Sequence, residues 1–252
     1  MQKPKVMAFD LDGTLADSKQ RLSVYMGELL SRLLEEMPVA ILSGASFAQF
    51  QKQFLSSLPE AKLGKLYIFP VNAAQCFVYR QGTWKPQYDH AFTPREKEII
   101  MQALTVALKE VGLSENPQDV WGERIEDREA QISFSPLGQL APLHAKEVWR
   151  TEHEPIRKKL ETQLIQLLPD CSVAEGGLTT IDITRKGITK AYGIERLSEL
   201  TGVSIGDMLY VGDALDEGGN DSVVIKTGIK THAVLGPQET AALIQSVTTK
   251  LH

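Results

Sequence analysis

Between Val6 and Pro70, uninterrupted apolar runs alternate with stretches of helical period. Val6 to Phe9 has no polar member, Leu22 to Leu34 places its apolar residues at helical spacing, and Val39 to Leu42 is apolar again before Ser43-Gly44. Strand, helix, strand in that order predicts a βαβ unit. Ser46 to Leu58 reads as a second helix stopped near Pro59, and Leu66 to Phe69 as a third strand broken at Pro70. The opening of the chain is therefore expected to form a parallel sheet.

From about Cys76 the rhythm changes. Cys76-Phe77-Val78-Tyr79, a turn at Arg80-Gln81-Gly82 and Thr83-Trp84-Lys85 predict a hairpin. Pro94 to Val111 follows as a helix opening on proline and acidic residues. Then come Ala130 to Phe134 as a strand, Glu154 to Leu168 as an amphipathic helix, and Cys171 to Ala174 with Thr179 to Ile183 as two further strands. Antiparallel strands with segregated helices indicate an inserted α+β unit. After Gly187 the alternating style returns, with a helix from about Thr189 to Leu200, the strand Met208 to Val211, a loop ending in Gly-Gly-Asn-Asp, the strand His232 to Leu235 and a terminal helix after Pro237. The expected organisation is a core made of residues 1–84 and 187–252, interrupted by an insertion over 85–186, with hinges near 83–88 and 184–188.

Composition narrows the function classes. The 252 residues carry 27 Lys+Arg against 32 Asp+Glu, a formal charge of −5, with 42% hydrophobic residues. A mildly acidic chain without a Lys/Arg block has no footprint for nucleic acid or an anionic membrane, so an anionic small molecule would be met by a few placed cations. The segment before the first strand has no apolar signal core, and no membrane span is read. Cys76 and Cys171, each in apolar surroundings, predict buried thiols in a reducing cytoplasm. The five histidines lack the spacing of zinc ligands.

The candidate chemistry lies at strand ends. Asp10-Leu11-Asp12-Gly13-Thr14 follows the first strand, and a spacing of two on extended backbone puts both carboxylates on one side. Such a pair repels itself unless a divalent cation or a lysine shares the pocket; in isolation it reads equally as a solvated turn. In an open parallel sheet, ligands sit beyond the carboxyl ends of the strands. The second strand ends in Ser43-Gly44, a hydroxyl and a bare amide suited to phosphoryl oxygens, and the strand Met208 to Val211 ends in Gly212-Asp213, a hard oxygen ligand suited to Mg²⁺. Lys190 opens a helix, where the dipole disfavours a cation, so another cause has to hold it there. Lys186 competes with it for the lysine role, although Gly187 reads as the turn before the helix. Asn220 and Asp221 follow the metal-ligand strand closely enough to orient ligands, or to cap a glycine-rich helix start.

This constellation resembles the haloacid dehalogenase (HAD) superfamily of aspartyl-phosphate phosphotransferases, whose four motifs match Asp10 to Thr14, Ser43, Lys190 and Gly212-Asp213 in order. The resemblance implies an α/β, HAD-like Rossmannoid core with a parallel sheet. It implies Asp10 as nucleophile, Asp12 as general acid and then base, and Lys190 as the neutralising cation. Mg²⁺ is expected on Asp10, the Asp12 carbonyl and Asp213, and the phosphoryl group on Thr14, Ser43 and Gly44.

An insertion between the third strand and Lys190 resembles the type-2 α+β cap, and within that branch the chain is most similar to the eukaryotic-type phosphomannomutases. Gly212 to Asp221 matches their Gly-Asp followed by Gly-Gly-Asn-Asp, and Gly176, Gly177, Thr180 and Asp182 match their cap strand. Ser135-Pro136-Leu137-Gly138 matches their cap turn, and Asn72 their asparagine after the third strand. The likeness implies a mannose 1-phosphate/mannose 6-phosphate mutase, with Arg128, Thr180 and Asp182 as cap contacts to the substrate. It also implies a cap that opens and closes about its hinges, and a homodimer through the cap. Arg128 reads equally as an ion-pair partner of Glu126 or Glu129. Two family arginines are replaced, by Trp121 and Gln139, each worth roughly 1.5–3 kcal/mol as a charge-assisted hydrogen bond to the distal phosphate. Arg124, Arg150 and Lys146 are the candidates to compensate. The alternatives are a sugar-phosphate phosphatase using the same Asp10 chemistry, and, more remotely, a non-catalytic sugar-phosphate sensor.

Overall fold

A computed structural model of the chain describes residues 3–17, 20–113 and 120–249. The chain runs β1 (Val6–Phe9), α1 (Val24–Glu36), β2 (Val39–Leu42), α2 (Phe47–Gln53), β3 (Leu66–Phe69), β4 (Gln75–Arg80), β5 (Thr83–Asp89), α3 (Pro94–Glu110), β6 (Ile125–Asp127), β7 (Gln131–Phe134) and α4 (Leu143–Leu167). It continues through β8 (Cys171–Gly176), β9 (Thr180–Arg185), α5 (Lys190–Thr201), β10 (Met208–Gly212), β11 (Lys230–Ala233) and α6 (Pro237–Thr249). It divides into two units, Met1–Asp89 with Thr189–His252, and His90–Ile188.

The first unit is built on a seven-stranded sheet in the order β11-β10-β1-β2-β3-β4-β5, parallel from β11 to β3 and closed by the antiparallel β4 and β5. Every residue of β1, β2, β3 and β10 is buried, as expected of parallel strands covered on both faces. Side chains alternate between those faces. Met7, Phe9, Ile41, Leu209 and Val211 join one cluster with Leu29 and Leu33 of α1 and Ile244 of α6. Ala8, Leu42, Met208 and Tyr210 join the other with Ile194 and Leu197 of α5. The strand ends are thereby held in register, and Asp10, Ser43 and Asp213 stand just beyond β1, β2 and β10.

The second unit is an α+β sandwich. Its four-stranded antiparallel sheet, order β6-β7-β9-β8, turns Ile132, Phe134, Ile181 and Ile183 toward Ile100 and Leu104 of α3 and Leu160 and Leu164 of α4. The alternate residues Gln131, Ser133, Asp182 and Thr184 form the opposite face and are also buried. Near the end of β9 the Arg185 guanidinium donates to the carbonyls of His90 and Ala91 and pairs with Glu96, which also closes the capping box of Thr93 at the start of α3. The Arg185 and Thr93 bonds hold the Glu96 carboxyl at about 2.

Several boundaries move. α4 begins at Leu143 rather than near Glu154 and runs through Pro155; buried Trp149 before the proline and Leu160 after it hold both halves to the unit. β6, with no apolar alternation to mark it, was not expected. β5 stays paired with β4 as far as Asp89 despite Pro86, which an edge strand tolerates, so the first boundary between the units falls after Asp89 and not after residue 84. β11 is Lys230–Ala233, not His232 to Leu235, because an exposed edge strand is set by its pairing with β10 and needs no apolar run. No helix among the described residues is long and apolar enough to cross a membrane.

Candidate active site

Lys190 supplies the centre of the site. It is the first residue of α5 and is buried, where both the helix dipole and the loss of water work against its charge. Two carboxylates offset that cost: Nζ donates to Asp10 Oδ1 at 2.5 Å and to Asp221 Oδ1 at 2.6 Å. Burial lowers the tendency of the amine to ionise, but Asp10 and Asp221 outweigh it and hold Lys190 above its ordinary pKa. Lys186, the competing residue, is exposed and donates to the Pro169 carbonyl. Of the two, Lys190 is the one held against Asp10.

Asp10, Asp213 and Asp221 each bring one carboxylate oxygen within 4.8 Å of the others. Counting the ionised forms, three carboxylates and one ammonium leave −3 + 1 = −2, and the donors are all hard oxygens. That set fits a divalent oxygen-seeking cation. Burial pushes the Asp10 carboxyl up, to about 7, against the pull of Lys190, and the crowding of Asp221 and Asp213 adds to the rise. Burial likewise raises Asp213.

Glycine makes the crowding possible. A Cβ on Gly13 would stand 2.5 Å from Asp213 Oδ2, and Gly13 also has a φ of +81°. Thr14, expected at the phosphoryl group, has its hydroxyl committed to Asp213 Oδ1 at 3.1 Å and so aims that acid. Asp12 is partly buried beside the turn that bridges it to Ala16. Ser43 Oγ accepts from the Ala45 amide at 3.1 Å, leaving its own proton to donate. Gly44 lies next to Asn72, which takes a left-handed backbone conformation between Val71 and Ala73, both also at positive φ.

Of the two residues expected to orient ligands, Asp221 is fully buried and bonds directly to Lys190, closer than its sequence position implied. Asn220 is exposed. Sequence reasoning missed Tyr210, whose phenol donates to Asp221 Oδ1 at 2.6 Å. A tyrosine inside a fully buried strand was the available signal, since its hydroxyl has to find a partner.

On the second unit's polar sheet face, Gln131 donates to Ser133 and Ser133 to Asp182 Oδ1 at 2.6 Å. Gly176 is required beside it, because a Cβ there would stand 2.3 Å from Asp182 Oδ2. Thr180 lies on the same face, two residues before Asp182. Arg128 donates to Glu126 at 2.6 Å, the ion-pair alternative read for it. Arg124 lies over the Phe134 ring and donates to the Leu113 carbonyl, which puts it on the helix side of the sheet, away from Asp182. Trp121 packs with Leu137, Ala141 and Trp149, and Gln139 donates to the Ser133 carbonyl.

The phosphomannomutase of Encephalitozoon cuniculi is 26% identical over 220 residues, covering 86% of this chain and 82% of its own. A probable phosphomannomutase of Caenorhabditis elegans is 23% identical, covering 98% of this chain and 96% of its own. Among solved structures, the IMP-nucleotidase of Plasmodium falciparum superposes with a TM-score of 0.70 at 17% identity, over 98% of this chain and 69% of that one, a likeness of fold. The family model for haloacid dehalogenase-like hydrolases matches residues 7–226, from the first strand to beyond Asp221. A match of that span assigns the chain to the haloacid dehalogenase-like hydrolases, enzymes of the phosphotransferase and phosphatase type.

Proposed function

We propose that this protein is a magnesium-dependent phosphotransferase of the phosphomannomutase type, acting on a hexose phosphate through an aspartyl-phosphate at Asp10. The observation that carries the chemistry is the buried Lys190 ammonium shared between Asp10 and Asp221. A carboxylate can attack a phosphate dianion only when their repulsion is cancelled, and a cation fixed beside the nucleophile does this without reorganising. An Asp10 oxygen attacks phosphorus, the bond from phosphorus to the sugar oxygen breaks, and Asp12 protonates the departing oxygen. Asp12 then accepts the proton of the acceptor hydroxyl as the phosphoryl group leaves Asp10. Ser43 and the Gly44 amide hold phosphoryl oxygens, and Thr14 keeps Asp213 aimed. Magnesium, for which Asp10, Asp213 and the Asp12 carbonyl are the ligands in this reading, would supply Lewis-acid neutralisation of the phosphoryl oxygens. Arg128, Thr180 and Asp182 are the sugar-phosphate contacts from the cap. The hexose assignment is supported by similarity to phosphomannomutases along nearly the whole chain.

A second reading, a sugar-phosphate phosphatase in which water is the acceptor, is favoured by one set of contacts. Trp121 is taken up in an apolar cluster, Gln139 bears no charge, and Arg124 lies on the helix face of the cap sheet, so none of the three adds a cation to the polar face. Retaining a bisphosphorylated sugar through its reorientation calls for such cations.

One assay decides. Mannose 1-phosphate is supplied with magnesium and a trace of hexose bisphosphate while mannose 6-phosphate and free phosphate are followed together. Isomer without phosphate supports the mutase, phosphate without isomer supports the phosphatase, and retained binding with neither rejects both.

A further inference from the structure

Asp221 accepts two hydrogen bonds on one oxygen. Lys190 Nζ and the Tyr210 phenol both donate to Oδ1, each at 2.6 Å. Tyr210 is fully buried in the middle of β10, two residues before Gly212, on the sheet face covered by α5. Its partner already holds the charged group that faces Asp10. The fit is close: a Cβ on Gly212 would stand 2.3 Å from Asp221 Oδ2 and 2.9 Å from Tyr210 Cε1, so the bare glycine lets ring and carboxylate meet. The second Asp221 oxygen is met by the Ala214 amide at 3.4 Å, too long to restrain the carboxylate as the phenol does.

We infer that Tyr210 is a positioning residue for the reaction at Asp10, acting through Asp221 and Lys190; this role rests on the phosphotransfer reading above. Two donors on one carboxylate oxygen compete. The phenol takes up part of the negative charge of Asp221 Oδ1, weakens that acid's hold on the shared ammonium, and leaves more of its charge on the Asp10 side. Without the phenol, Asp221 draws Lys190 at full strength, and the nucleophile keeps less of the cation that allows it to approach a phosphate. Tyr210 has no exposed atom to offer a substrate. Its effect therefore belongs to turnover and not to affinity.

The test is Tyr210→Phe, which keeps the ring and removes the oxygen. With mannose 1-phosphate, kcat is expected to fall about tenfold while KM stays within about twofold. A crystal structure of the variant should show Lys190 Nζ shifted to Asp221 and its contact with Asp10 lengthened beyond hydrogen-bond range. In an Asp221→Asn background, where no second charge competes for the lysine, the same substitution should cost almost nothing further. An unmoved lysine overturns the inference, as does a kcat loss matched by a rise in KM and a fall in melting temperature, the pattern of a merely structural role. The lysine position does not depend on turnover. If the wild type processes no phosphate ester at all, the proposed function fails, while the variant structure still decides the role of Tyr210.

Discussion

In the core sheet the buried Asp10 and Ser43 stand at strand ends, after β1 and β2, and of the side chains named at that site only the Tyr210 phenol comes from mid-strand, whereas in the cap sheet Ser133 on β7 and Asp182 on β9 are both in mid-strand. The two placements have different causes. At a strand end, the position of a side chain is set by sheet topology and by the register of neighbouring strands, so Asp10 and Asp213 converge because β1 and β10 pair Phe9 with Val211. In mid-strand, alternation decides which face a side chain takes, and the register of β7 with β9 then sets Ser133 opposite Asp182. In the proposed reading, the reacting groups are thus fixed by the fold, while the contacts to the sugar are side chains on a strand face.

The sharpest break of the core side is Asp10→Asn, which keeps the shape and removes the proposed nucleophile. Turnover should fall by about 10⁴-fold with secondary structure retained, measured as acid-quenched phosphoenzyme and product release; activity within tenfold of wild type would remove Asp10 from that role. Lys190→Met leaves Asp10 and Asp221 buried without their cation. It should cost about 3–5 kcal/mol in urea unfolding as well as turnover; a stability near wild type would mean the two acids do not depend on the ammonium.

On the cap side, Gln139→Arg restores one charge to the unit and should raise the ratio of isomer to free phosphate about fivefold, with the fold undisturbed. An unchanged ratio would count against a distal-phosphate contact at residue 139. The smallest effect concerns Glu96. Its carboxyl is depressed from 4.5 to about 2, so its contribution is present above 4.5 and is lost as pH falls toward 2. Because the pair with Arg185 is about a third exposed, that contribution is about 1 kcal/mol or less after solvent screening. The melting difference between wild type and Arg185→Met should therefore narrow between pH 4.5 and 2; a constant difference would assign Arg185 a role through its carbonyl contacts alone.

Legibility followed the same division. The strands β1, β2, β3 and β10 are marked by local apolar runs with a polar residue directly behind each of β1, β2 and β10, so the placement of Asp10, Ser43 and Asp213 at strand ends could be read without a structure. Tyr210 could be read only in part. A phenol in a strand buried on both faces has to find a partner, but nothing local says that the partner is Asp221. Arg124 was open for a related reason: it precedes the short, barely patterned β6, so its side of the sheet depends on the stack against Phe134.

The amino-acid pattern by itself determined the alternation of strand and helix, the interruption by an α+β unit and the order in which reactive residues follow the core strands, because each of these is encoded within a few neighbouring positions. Tertiary structure alone decided that one ammonium bridges two carboxylates 180 and 31 residues away, that a phenol shares one of them, and that Arg128 pairs with Glu126. Contacts of a few ångströms between residues distant in the chain depend on register and packing, and only the assembled sheets set those.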